Sequence, residues 1–132
     1  MLKLEIVTPE KRVVDETVDS VTVPTLSGEA GILPNHAPLV SVLKPGVLTF
    51  TNKGNTEKLA VAGGFVEVNS DKVSVLTDVA ENAAEVNVES VRAEKDDAEK
   101  ALSAAAASSI EETADVRDRI EFANARLQLA GK

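Results

Sequence analysis

The spacing of the apolar residues changes near residue 85, and this change limits what the chain can fold into. Over residues 2–77 apolar residues alternate with polar ones or come in short runs, which is typical of β-strands. Over residues 85–130 there is no glycine or proline, alanine is frequent, and apolar residues recur at helical spacing. We therefore predict a strand domain at residues 1–85 and a helical domain at residues 86–132.

Turn-forming residues divide the first domain into short strands. Proline, glycine, asparagine, serine and aspartate cluster at residues 24–28, 45–46, 53–55 and 69–71. Strands with this spacing favour an antiparallel β-sandwich of about eight to ten short strands. The alternating apolar residues are Leu2, Leu4, Ile6, Val18, Val21, Val23, Val47, Leu48, Phe50, Leu59, Val61, Val66, Val68, Val73 and Val75.

The second domain carries a start signal for each of two helices. Asn87 can cap the first helix. Ser108, Ser109 and Glu111 fit a capping box that would start the second. We predict a two-helix antiparallel hairpin packed through small residues. Because its junction, residues 104–109, contains alanine and serine rather than glycine or proline, we expect the hairpin to open when a partner favours the extended form.

The charge and the absence of cysteine exclude several classes of function. The chain has 14 basic and 22 acidic side chains and a formal net charge of −8. This charge opposes binding to nucleic acid or to an anionic membrane, so the partners are predicted to be proteins and any membrane contact indirect. Without cysteine, neither disulfides nor thiolate metal sites can form, and no metal site is predicted.

The chain shows no pattern that predicts catalysis. His36 is the single histidine, and Ser41 follows it closely, so a small hydrolase using His36 is one alternative. However, the nucleophile-elbow pattern of hydrolases is missing. The glycines are not followed by the Gly-Lys-Ser/Thr sequence of a phosphate-binding loop. We therefore predict a protein that is not an enzyme.

The segment at residues 28–48 is rich in glycine and proline and predicts a contact surface. Gly28 and Gly31 allow backbone angles that other residues resist, whereas Pro34 and Pro38 fix φ. The result is a rigid loop that leads into a short apolar strand. The polar residues predicted to contact a partner are Glu29, Asn35, His36 and Ser41.

Two further blocks follow this segment, Ala-Gly-Gly-Phe-Val-Glu-Val at residues 62–68 and Val-Ser-Val-Leu-Thr at residues 73–77. With these blocks in this order, the whole chain resembles the epsilon subunits of bacterial and chloroplast F-type (rotary) ATP synthases, a family that includes the mitochondrial delta subunit. The resemblance implies a non-catalytic central-stalk (rotor) subunit that couples rotation of the c-ring to the gamma subunit. It also implies that the C-terminal helices can extend toward the alpha and beta subunits and inhibit ATP hydrolysis.

The same resemblance implies roles for single residues and a location. Glu29 would face the membrane-embedded c-ring, and His36 and Ser41 would lie on the side that meets the gamma subunit. The chain would be peripheral, on the cytoplasmic face of a plasma membrane or the stromal face of a thylakoid.

Some bacterial members of this family bind ATP, and the chain matches their site in part. Residues 88–93 read Val-Glu-Ser-Val-Arg-Ala, with Glu89 where those members have aspartate. The implied ATP contacts are Glu89, Arg92 and Arg126. Phe122 replaces a second arginine and so removes a phosphate-binding cation, and for this reason no cofactor is predicted. A free-standing nucleotide-sensing module, whose helices close on ATP, is the alternative.

Overall fold

Strands precede helices along the chain, in the order that the apolar spacing predicts. The computed structural model describes residues 1–105 and 113–131. A 3-10 turn, Ala83–Glu85, separates the last strand from the first helix. The elements are β1 Leu2–Val7, β2 Arg12–Val18, β3 Ser20–Thr25, β4 Gly28–Ile32, β5 Leu39–Leu43, β6 Gly46–Asn52, β7 Asn55–Val61, β8 Gly64–Asn69, β9 Lys72–Thr77, β10 Ala80–Glu81, α1 Val88–Ala104 and α2 Ala114–Leu129.

The strands form one 10-stranded sheet in the order β10-β7-β6-β3-β5-β8-β9-β1-β2, with β4 paired to β3. The sheet folds into a nearly closed sandwich, which confirms the predicted fold class. One pairing departs from the antiparallel pattern, because β1 runs parallel to β9. A parallel neighbour requires a long connection, and here the whole of β2 to β8 lies between the two strands.

Strand β3 joins the two halves of the sandwich. Its first residues pair with β6, and its last residue, Thr25, pairs with Leu43 in β5. From Val21 to Thr25, β3 also pairs with β4. Because one strand contributes to both halves, the sheet turns the corner without an unpaired edge at that point.

The core lies between the inward faces of the strands, as the alternation predicts. Its side chains are almost entirely aliphatic, and Phe50 is its one aromatic member among the described residues. The fully buried aliphatic residues include Leu2, Leu4 and Ile6 of β1. The core members are Leu2, Leu4, Ile6, Val18, Val21, Val23, Ile32, Leu43, Leu48, Phe50, Leu59, Val61, Val66, Val68, Val73 and Val75.

Two of the predicted turns are two-residue hairpin loops. Lys53 and Gly54 connect β6 to β7, and Ser70 and Asp71 connect β8 to β9. All four have positive φ, between 51° and 82°. A loop with positive φ at both positions matches the right-handed twist of the flanking strands, so these turns fix the register of both hairpins.

The segment at residues 28–48 is less of a loop than the sequence predicted. Its first five residues form β4, which makes a hairpin with β3 in the register Val23 to Ala30. Residues 33–38 are the actual loop, and Pro34 and Pro38 lie within it. Gly28 and Gly31 both lie in β4, a short strand that pairs only with β3 at the edge of the sheet. A Cβ at Gly31 would meet nothing within 4 Å.

The helices form the predicted hairpin and contact the sheet through α2, which lies against β6 and β7. Asn87 caps α1, since its side chain accepts a hydrogen bond from the Ser90 amide at 3.0 Å. The capping box predicted at Ser108 to Glu111, and most of the alanine-serine junction, lie outside the described residues. The domain boundary predicted at residue 85 falls between the end of β10 and the start of α1.

Gly64 lets two strands approach where no other residue would fit. Its φ is +132°, and a Cβ built on it would lie 1.9 Å from the backbone oxygen of Leu76 in β9. That separation is far below van der Waals contact, and backbone atoms cannot rotate away as a side chain could. Glycine is therefore required at this position by both conformation and space.

We predict that Gly64→Ala lowers the free energy of unfolding by about 3 kcal/mol or more, because the β8–β9 backbones must separate. Gly31→Ala is the matched control, since it adds the same methyl group in open space at an ordinary φ and should change stability by less than about 0.5 kcal/mol. Urea unfolding followed by circular dichroism measures both variants. Equal stability of the two would contradict the assigned role of Gly64.

Candidate functional site

The loop at residues 33–38 is held in place by the β8–β9 turn. The backbone amide of Asn35 donates a hydrogen bond to Oδ1 of Asp71 at 2.7 Å. Asn35 itself has a φ of +68°, a conformation that asparagine tolerates better than most residues. The loop therefore presents its side chains from a fixed backbone.

His36 is engaged within its own loop. Its backbone amide donates to the carbonyl of Leu33, and Nδ1 lies 2.6 Å from the carbonyl oxygen of Ala37. Because a carbonyl oxygen can only accept, Nδ1 is the donor in this contact. No hydrogen bond joins His36 to Ser41, so the structure does not bring together the pair on which a hydrolase would depend.

The four predicted interface residues do not share one surface. Glu29 is exposed on β4, Asn35 is exposed in the loop, and His36 is half-buried beside it. Ser41 is half-buried in β5, on the same face of the strand as the core residue Leu43. The outward positions of β5 belong to its neighbours Val40 and Val42 instead.

An exposed row of apolar side chains crosses three neighbouring strands. Val42 in β5 lies opposite Phe65 in β8, and Phe65 lies opposite Leu76 in β9. Their exposed fractions are 42%, 56% and 55% respectively. We call Val42, Phe65 and Leu76 the apolar row. Three large apolar side chains in register and open to solvent are typical of a protein interaction surface.

A shallow groove continues the apolar row toward β1. It has a volume of about 410 Å³ and is lined by Val7, Thr8, Pro9 and the ends of β8 and β9. Val7 is the register partner of Leu76, so the apolar character extends from β5 to β1 across four adjacent strands. Val40, one step along β5, is 72% exposed and widens the surface.

Arg126 in α2 binds two carboxylates from different parts of the chain. Its Nε donates to Glu81 Oε2 at 3.3 Å, and its Nη2 lies 3.2 Å from Glu81 Oε1. Its Nη1 donates to Glu94 Oε2 at 2.7 Å. The guanidinium carbon also lies 5.1 Å from the ring centroid of Phe122, one turn earlier on α2, which is a cation–π distance.

The three residues implied as ATP contacts differ in their surroundings. Glu89 and Arg92 are exposed on α1, and neither is joined to Arg126 by a hydrogen bond or ion pair between described residues. Arg126, in contrast, has all its guanidinium nitrogens occupied by Glu81 and Glu94. A phosphate group would have to compete with these two carboxylates for the same cation.

Among the residues that the structure describes, one carboxyl group has a displaced pKa, and its surroundings are structural. The Lys3 ammonium, 2.7 Å from Asp15, lowers the pKa of that carboxyl, and Arg12 at 3.1 Å acts in the same direction. The three residues lie on β1 and the edge strand β2. Charges on an edge strand discourage pairing with another chain, so this cluster protects the sheet edge.

Sequence reasoning missed the apolar row, Glu81 and Glu94. It also missed the capping box that Asn82 and Glu85 form on the 3-10 turn, with reciprocal hydrogen bonds of 3.0 Å. The Asn-Ala-Ala-Glu spacing was a sufficient signal for that box. Nothing local marks Glu81 as the partner of Arg126, because 45 residues separate them.

Two negative findings apply to residues 1–105 and 113–131. No helix there is long and apolar enough to cross a membrane. No three histidine, cysteine or acidic side chains are grouped there so that they could hold a metal ion.

A family model and the relatives similar in sequence all point to the same family of proteins. Residues 1–83 match the family model described as the β-sandwich domain of the ATP synthase delta/epsilon chain. The ATP synthase epsilon chain of Carboxydothermus hydrogenoformans is 52% identical over 88 residues, which cover 67% of this chain and 66% of that one. That of Nitratidesulfovibrio vulgaris strain DP4 is 39% identical over 128 residues, or 97% of this chain and 87% of that one.

A solved structure shows a similar fold over nearly the whole chain. A chain of the Euglena gracilis mitochondrial ATP synthase, in an assembly of OSCP, F1 and c-ring, superposes with a TM-score of 0.80. The two chains are 24% identical, and the match covers 99% of this chain and 81% of that one. The similarity includes the helices as well as the sandwich.

We predict that the hydrogen bond from Asn35 to Asp71 orders the loop at residues 33–38. Asp71→Gly keeps the positive φ but removes the acceptor, so the Asn35 amide should exchange with solvent about fivefold faster or more. Asp71→Asn is the control, because it keeps both an acceptor oxygen and tolerance of positive φ. Amide hydrogen exchange by NMR measures the effect. An equal rate in both variants would mean that the loop is ordered by other contacts.

Proposed function

The chain belongs to the ATP synthase delta/epsilon family, and we propose that it is a non-catalytic subunit of the central stalk that joins the gamma subunit to the c-ring. The observation that carries the proposal is the apolar row on an intact sandwich. A subunit that transmits rotation needs a rigid body and a permanent contact surface. The sandwich supplies the first, and Val42, Phe65 and Leu76 supply the second.

The gamma subunit is the proposed occupant of the apolar row. Stable protein interfaces have an apolar centre with a polar rim. Glu67 in β8 and Asp78 after β9 are exposed beside the row and fit such a rim. In this arrangement the outward residues Val40 and Val42 make the contact that the sequence had placed at Ser41, whose side chain supports β5 from inside.

The proposed contact with the c-ring uses Glu29. This carboxylate is exposed on β4 and has no ion pair among the described residues, so its charge is available to a partner. Asn35 and His36 lie in the loop that follows β4, and we propose that the Asn35 side-chain carboxamide and His36 Nε2 face the same assembly.

We propose that the helices regulate ATP hydrolysis by leaving the sandwich and extending toward the alpha and beta subunits. Two features support this. The buried residues of α2 include two alanines, Ala123 and Ala125, so little apolar area is lost when α2 moves away. The cluster between the helices is also small, with Val91, Ala123 and Leu127 as its buried members.

The proposed location is the cytoplasmic face of a bacterial plasma membrane, with the membrane contacted through the c-ring. Epsilon chains that are similar in sequence include those of Carboxydothermus and Nitratidesulfovibrio. The net charge of −8 would repel an anionic lipid surface, which favours an indirect attachment.

No catalytic activity and no cofactor are proposed for the chain itself. His36 is held by the Ala37 carbonyl and has no hydrogen-bonded nucleophile among the described residues. For the alternative, a nucleotide-sensing module, the contacts of Arg126 with Glu81 and Glu94 are unfavourable, since a nucleotide phosphate would bring a third negative charge to the same cation.

We predict that Phe65→Ser weakens binding to the gamma subunit about tenfold or more, because it removes the central side chain of the apolar row. The melting temperature of the isolated chain should stay nearly unchanged, since Phe65 is already more than half exposed. Thr56→Ala is the control, because Thr56 is exposed on β7, outside the row. Calorimetric titration of gamma measures the affinities. Unchanged binding by Phe65→Ser would place the gamma contact elsewhere.

We predict that a chain ending at Glu85 folds cooperatively and still binds gamma, since β1 to β10 and the core cluster all precede that residue. An ATP synthase assembled with this shorter chain should hydrolyse ATP faster than one with the full chain, because the inhibitory helices are gone. Thermal unfolding, gamma binding and the ATPase rate test the three parts. A fragment that is unfolded would refute the separate sandwich, and an unchanged ATPase rate would refute the inhibitory role.

A further inference from the structure

Arg126 connects three elements of the chain at one point. It lies on α2, Glu94 lies on α1, and Glu81 ends β10, the last strand of the sandwich. The two carboxylate oxygens of Glu81 contact Nε and Nη2 of Arg126, and one oxygen of Glu94 contacts Nη1. A guanidinium group is suited to this geometry because its donors point in fixed, separate directions, which a lysine ammonium cannot reproduce.

Contacts that do not involve Arg126 fix the backbone at Glu81. Its backbone pairs with Ala60 in β7, so one side of the residue is fixed by the sheet. On the other side, Asn82 and Glu85 close the capping box of the 3-10 turn. The backbone that carries this carboxylate is therefore fixed without Arg126, so forming the contact costs side-chain but little backbone entropy.

The two arms of the contact differ in their exposure to solvent. The side chains of Arg126 and Glu81 are 12% and 19% exposed, whereas that of Glu94 is 61% exposed. Ion pairs shielded from water are screened less by salt. Removing one partner of such a pair also destabilises the protein more, because the other charge stays shielded and unpaired. Phe122 shields the guanidinium further by lying against it from the preceding turn of α2.

We propose that Arg126, Glu81 and Glu94 form a latch that holds the helical hairpin against the sandwich, with Arg126 as its indispensable member. The two carboxylates carry two negative charges that one cation neutralises only in part. Without Arg126 they would repel each other and drive α1 away from β10. The carboxylates that hold the helices against the sandwich thus belong to the chain itself. This inference concerns the isolated chain and does not depend on the stalk function.

The latch predicts an order of effects on hairpin opening. Arg126→Met should open the hairpin most, since it leaves Glu81 and Glu94 unpaired. Glu81→Gln should follow, with opening increased about tenfold or more, because it weakens the shielded arm. Glu94→Gln should increase opening only about twofold, because its arm is exposed. Arg126→Lys should restore closure only in part.

Native-state hydrogen exchange on the isolated full-length chain measures these effects. The amides of Ala123 and Leu127 report opening of the helices, and those of Val66 and Val68 report the sandwich. Glu57→Gln and Glu99→Gln are matched controls: Glu57 is exposed on β7, and Glu99 is exposed on α1, 4.0 Å from Lys95. The expected result is faster exchange in α2, in the order given, with no change at the sandwich amides.

A distance measurement separates opening from local fraying of α2. The chain has no cysteine, so cysteines introduced at the exposed positions Thr56 and Asp118 carry a unique pair of spin labels. Glu81→Gln should add a population at longer distance. Exchange and distances in Glu81→Gln equal to those in Glu57→Gln would overturn the proposal. So would an Arg126→Met effect equal to that of Glu94→Gln.

Discussion

The close approach of β8 and β9 at Gly64 is the constraint on which both the fold and its contact surface depend. Gly64 lies opposite Thr77, directly beside the register pair Phe65 and Leu76. Because the Gly64 position has no room for a Cβ, the backbones can meet there and hold these two side chains next to each other on the outside. The same strand pairing buries Val66 on the inner face. The β8–β9 register therefore sets the positions of both the core residues and the apolar row.

The sandwich and the helices are stabilised in different ways, and this difference fits the proposal that the helices move. The sandwich core is continuous and aliphatic, with most of its members completely buried. The helices share only a small cluster and rely on polar contacts such as those of Arg126. Apolar burial gives the sandwich its rigidity, whereas charge contacts can be exchanged for those of another partner at low cost.

The same residue types serve different ends in the two parts of the chain, as the three phenylalanines illustrate. Phe50 fills the core, Phe65 lies in the middle of the apolar row, and Phe122 lies against the Arg126 guanidinium. Composition alone treats them as three apolar side chains. Their surroundings assign one to stability, one to the proposed partner contact and one to the position of a charge.

The sequence by itself determined the elements, because strand and helix periods, the cap at Asn87 and the hairpin turns depend on residues close together in the chain. It also identified the family through the blocks at residues 28–48, 62–68 and 73–77. Only the tertiary structure decided the parallel pairing of β1 with β9, the inward direction of Ser41, the apolar row and the contact of Arg126 with Glu81. These depend on which strands become neighbours and in what register, and that choice is made by burying all the inward faces at once rather than by any local pattern.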